Sequence, residues 1–130
     1  MSYDLMVFEP TKNLAQRQPF LDWYEQQTEW NEPHDHDDPS VCTPALQGFY
    51  ADMQQTFPAQ TDDTSDGGTD YTIAANLIYM SFAWDQIDLA HDVVSKLAAK
   101  HALGFFDVSS DLSEVWLPDR KGGLWIAHSD

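Results

Sequence analysis

The chain has 130 residues, with 22 Asp plus Glu against 6 Lys plus Arg and a formal net charge of −16 at pH 7. That length suits one domain, 1–130, able to bury roughly two-thirds of its unfolded surface without a disulfide or metal staple. Hydrophobic residues at 42% and aromatics at 13% argue against wholesale disorder. The shortage of Lys and Arg argues against binding a phosphate backbone, because that affinity comes from cations displacing counterions.

Further classes fall away on local grounds. Cys42 is the single cysteine, so no internal disulfide forms, and no CxxC or Cys/His zinc pattern exists. Met1 to Pro10 has no basic residue and no long apolar run, unlike a signal peptide. The most apolar stretch, Ile73 to Trp84, is too short and polar to cross a bilayer. The expectation is a soluble cytoplasmic protein with no cofactor, no nucleic-acid ligand and no membrane partner.

Tyr3 to Glu9 reads as the first strand, and Leu5 to Phe8 at its centre is apolar on both faces, as in an interior strand. A helix follows from Pro19 to about Thr28, placing Phe20, Trp23, Tyr24 and Gln27 on one face. The next helix starts clearly. Thr43 is a suitable N-cap, Pro44 fits the first helical position, and Leu46, Phe49, Tyr50, Met53 and Phe57 follow with helical spacing up to Pro58. Gly48 weakens it by up to about 1 kcal/mol relative to Ala. Tyr71 to Phe82 reads as a central strand, best from Asn76.

Ala83 to Ala102 predicts a helix with an apolar stripe of Ala83, Ile87, Ala90, Val94, Leu97 and His101. Asp85 and Asp88 open it and Lys96, Lys100 and His101 close it, as the helix dipole favours, with Gly104 marking its C-terminal cap region. Phe105 to Val108, Glu114 to Leu117 and Leu124 to His128 complete the order β-α-α-β-α-β-β with a last edge strand. The class is α+β: an antiparallel or mixed sheet with about three helices packed on one face. Phe8, Phe20, Trp23, Phe49, Phe82 and Phe105 are expected in the core.

The charge is unevenly placed. No Lys or Arg occurs between Arg17 and Lys96, and that interval holds 15 of the acids. Two acidic loops, about 29–42 and 59–70, concentrate them. The first offers Glu29, Trp30, Glu32, Asp35, Asp37 and Asp38, and the second Asp62, Asp63 and Asp66. Such a surface either serves solubility or meets a basic partner, with Trp30 as a possible aromatic anchor.

His34 and His36, two apart in an extended loop, would point to one side, and with an Asp they form a metal-ligand alternative. Bounding prolines Pro33 and Pro39 favour an exposed loop instead. Neither Asp-rich run has the twelve-residue spacing of an EF-hand. Cys42, just ahead of a capped helix, reads as a packing residue rather than a nucleophile. No glycine loop has the strand-to-helix context that cradles phosphate. No residue is assigned a catalytic role.

Ser2 to Pro10, Trp23 to Trp30 and Gly104 to Ser109 resemble segments of small, uncharacterised bacterial proteins. In size, acidity and lack of a catalytic motif the chain also resembles the immunity proteins of contact-dependent and polymorphic toxin systems. That resemblance implies a cytoplasmic inhibitor whose partner is a basic toxin, often a nuclease. The alternatives are a metal-dependent enzyme built on His34 and His36, or a small regulatory protein whose acidity is only solubility.

Overall fold

A computed structural model describes residues 2–10, 14, 16–27, 39–57, 70–109, 114–119 and 121–129. In chain order the elements are β1 (Ser2–Phe8), α1 (Arg17–Gln27), α2 (Pro44–Met53), β2 (Asp70–Ala74), β3 (Leu77–Ala83), α3 (Ile87–Lys100), β4 (Gly104–Phe106), β5 (Val115–Pro118) and β6 (Leu124–His128). Short 3-10 turns, Pro39–Val41 and Trp84–Gln86, precede α2 and α3. The strands form one six-stranded antiparallel sheet in the order β2-β3-β1-β4-β5-β6. The class is therefore α+β, as expected.

Strand β1 holds the centre because it can be buried on both sides. Leu5 and Val7 face one way and Met6 and Phe8 the other, and all four are fully buried. On the first face α2 and α3 contribute Leu46, Phe49, Met53, Ala90, Val94 and Ala98. On the second face Phe20 of α1 packs against Phe8 and Phe106, with ring centroids 5.4 and 4.9 Å apart. The expected one-sided helix layer thus describes α2 and α3, while α1 lies across the sheet from them. Of the expected core, Phe8, Phe20, Phe49, Phe82 and Phe105 are buried, and Trp23 is half-buried against Phe8.

The helix starts follow their signals. Thr43 caps α2, accepting from Leu46 N–H at 3.4 Å and donating to Glu9 Oε1 at 2.8 Å. Pro19 lies in the first turn of α1, where its missing N–H has no partner to lose, so the helix begins two residues earlier at Arg17. Gly48 has a local purpose: a Cβ there would meet the His101 ring at 2.9 Å.

Two expectations are corrected in detail. Tyr71 to Phe82 is a hairpin, not one strand. Ala74 pairs with Leu77, leaving Ala75 and Asn76 as a two-residue loop. No Gly or Pro punctuates that turn, so periodicity reads through it. Gly104 is not the cap of α3. The chain leaves the helix through Ala102 at φ 56°, with Leu103 N–H donating to the Ala98 carbonyl at 2.8 Å and Ala102 N–H to the Ala99 carbonyl at 3.2 Å. This is a Schellman exit with alanine where glycine is usual. Gly104 instead lies in β4 beneath Phe8, whose ring a Cβ would strike.

A bulge between Val115 and Trp116 shifts the β5–β6 register, setting Ile126 opposite Trp116 but His128 opposite Val115. The inserted residue turns His128 onto the α1 face. There it donates Nε2–H to the Leu14 carbonyl at 2.9 Å and accepts from Arg17 at Nδ1, 3.3 Å away. Both contacts fit the neutral ring. Burial, seconded by the Arg17 charge, holds the His128 imidazole below its ordinary value.

Three measurements follow from these local structures. Ala102→Gly relieves the left-handed alanine and raises stability by about 1 kcal/mol, read as a higher urea midpoint. Gly104→Ala drives a methyl into buried Phe8 and lowers stability by about 1–3 kcal/mol in the same assay. A depressed histidine pKa means the unfolded chain takes up a proton that the folded chain refuses. His128 therefore contributes stability that is present above about pH 6.5 and declines as pH falls toward its folded value. His128→Gln keeps a donor for Leu14 and should flatten the urea midpoint between pH 7.5 and 5; an unchanged slope would remove His128 from the effect.

Candidate functional site

The candidate residues Glu29, Trp30, Glu32, Asp35, Asp37 and Asp38, with His34 and His36, lie outside the described residues, as do Asp62, Asp63 and Asp66. The structure does place the points where their two segments join the fold. Helix α1 crosses its face from β6 toward β3: Phe20 meets His128 at 5.3 Å, while Tyr24 reaches Phe106 and hydrogen-bonds with Tyr79 of β3. The chain leaves α1 after Gln27 and returns at Pro39–Val41, in contact with β2. The second segment leaves after Phe57, whose carbonyl accepts from Tyr71 O–H at 2.6 Å, and returns as Asp70, the first residue of β2. Three of these four attachment points are at β2, and the fourth is the end of α1 directed toward β3.

The described cations divide between the β5–β6 end of the sheet and α3. Arg17 bonds His128 of β6, and Lys121 is in the β5–β6 turn. Lys96 and Lys100 are near the end of α3, Lys96 beside Asp92 at 3.1 Å. Lys100 and His101 both grip Asp52 of α2, at 2.9 and 2.7 Å, joining the two helices. The His101 and Lys100 hydrogen bonds hold the Asp52 carboxyl below the usual carboxylate range. Strands β2 and β6 are five strand spacings apart, about 24 Å. That is about three Debye lengths at physiological ionic strength, so Arg17 at β6 is screened from β2, whereas Lys96 and Lys100 share a recess with Gln55 and Thr56, next to where the second acidic segment leaves.

A second feature lies on the α2–α3 face. Helix α3 packs on β1, β3 and β4. Between it and the β5–β6 hairpin is an open cleft of about 390 Å³. Phe105, Trp116 and Leu124 give it apolar walls, and His91, Ser95 and Lys96 of α3 line it from the other side. His91 stacks edge-on against Phe105 at 5.4 Å and sits 3.5 Å from Asp107 Oδ2. Asp107 is buried and also accepts from Tyr3 O–H at 3.3 Å. Burial first, and then the Asp107 charge, push the Tyr3 phenol well up. The Trp116 indole N–H is buried with no acceptor among the described residues.

Other chemistry finds little footing. Among the described residues no three His, Cys, Asp or Glu side chains group as a metal site. Cys42 is buried in the core cluster with Leu46 and Phe49. No described helix is long and apolar enough to cross a membrane. The cleft residues escape sequence reading because they come from α3, β4, β5 and the β5–β6 turn, with no shared spacing. Compared with known protein families, curated proteins and solved structures, the chain matches none.

Proposed function

We propose that this protein is an acidic binding protein, an immunity-type inhibitor that neutralises a basic toxin by occupying its active-site surface. The observation that supports this reading most is the attachment of both acidic segments along the β2 side of the sheet, at the opposite edge from Arg17 on β6. A one-sided negative field steers a basic partner in a fixed orientation and raises the association rate, up to about 10⁸–10⁹ M⁻¹s⁻¹ at low salt. Carboxylates from Glu29, Glu32, Asp35, Asp37 and Asp38, joined by Asp62, Asp63 and Asp66, then fill positions that a basic toxin such as a nuclease keeps for phosphates. Trp30 supplies the apolar anchor that charge alone lacks.

The test first asks whether a neighbouring gene encodes a toxin, and then uses that toxin's domain. An equimolar amount of this protein should abolish the toxin's activity, with an association rate that falls as salt rises. Replacing Asp35, Asp37 and Asp38 together with Asn should slow association at least tenfold and flatten its salt dependence. Full toxin activity in the presence of excess protein would contradict the reading. Unchanged rates in the triple variant would remove that loop from the interface.

A further inference from the structure

We propose that the cleft between α3 and the β5–β6 hairpin is a binding site for a small aromatic carboxylate. The inference is independent of any role of the acidic segments. Its first support is shape. A recess of about 390 Å³ with apolar walls and a few polar groups on one side has the make-up of a small-molecule site. Half-buried Trp116 offers a surface to a planar ring, Leu124 and Ala99 extend the apolar lining, and Phe105 lies buried behind them.

The second support is charge. Among the described residues no Asp or Glu lines this cleft, whereas Lys96 and His91 do, each next to one acid, Asp92 and Asp107. The Lys96 side chain is 74% exposed, and Asp92, its ion-pair partner among the described residues, is itself 56% exposed. Such a surface pair is worth little, so the ammonium can turn to a carboxylate in the cleft at small cost. His91 is held in place by buried Asp107 and by Phe105.

The third support is an unsatisfied donor. A buried indole N–H without an acceptor is costly, and native proteins rarely leave one unused. Trp116 carries such a group and lines the cleft. The nitrogen is closed off from solvent, so an acceptor in the cleft reaches it only after the Trp116 ring turns. Glycine at 122, with φ +81° and open space where a Cβ would stand, places no side chain at its point of the cleft rim.

The probes are 2-naphthoate and its neutral counterpart 2-naphthamide, titrated into the full-length protein by calorimetry and by amide and indole NMR shifts. Naphthoate should bind saturably at one site, at least tenfold more tightly than the amide. Its shifts should centre on the Trp116 indole, Lys96 and Leu124. Lys96→Met, at an exposed position that does not threaten folding, should weaken naphthoate at least tenfold and leave the amide unchanged. Ser95→Trp should fill the cleft and abolish binding of both, whereas Lys100→Met should change neither. Absence of saturable binding, equal affinity for acid and amide, shifts centred elsewhere, or indifference to Lys96→Met would each overturn the proposal.

Discussion

The structure depends on burying β1 from both sides. Leu5, Met6, Val7 and Phe8 are consecutive and fully buried, so successive side chains need cover on opposite faces of the sheet. One helical layer could not supply it. Helices α2 and α3 cover Leu5 and Val7, and α1 covers Met6 and Phe8. β3 and β4 flank β1. Even the glycine of β4 answers to this strand, since it leaves room for the Phe8 ring. The arrangement of α1, with its partners on Phe8, Phe106 and His128, is a direct consequence.

That constraint also sorts the charge. Because α1 must cross from the β6 side toward β3 to cover Phe8, the chain leaves it pointed toward the β2 side and re-enters beside β2. The second acidic segment is tied to the same strand through Phe57, Tyr71 and Asp70. The cations of α3 and of the β5–β6 turn are left to the remaining surface. A net charge of −16 is therefore built into a fold with distinct edges, one joined to both acidic segments and the other bordering a cleft lined by Lys96 and His91.

Much of this fold was legible in the sequence, for identifiable reasons. Doubly apolar Leu5–Phe8 announced an interior strand, the Thr43-Pro44 start announced α2, and Phe20, Trp23 and Tyr24 announced the buried side of α1. The β2–β3 turn was not legible, because Ala75-Asn76 carries no glycine or proline. Nor was the exit from α3, because Ala102 takes a conformation for which glycine is the usual signal. Helix placement on two faces followed from β1 only once its neighbours were known. Of the surfaces, the acidic segments stood out through local composition. The cleft did not, since His91, Phe105, Trp116 and Leu124 meet only through the crossover of α3 and the β5–β6 hairpin.

The separation of charge between the two edges is open to a direct reading that needs no partner. Paramagnetic broadening of amide NMR signals by a cationic nitroxide, compared with an anionic one of similar size, reports the sign of the potential at each exposed position. At physiological salt the cationic probe should broaden Asp70 and Thr72 of β2 far more than the anionic probe does. At Trp125 and Ile126 of β6 that preference should vanish or reverse. A uniform preference for the cationic probe at both edges would show a diffuse charge and contradict the segregated one.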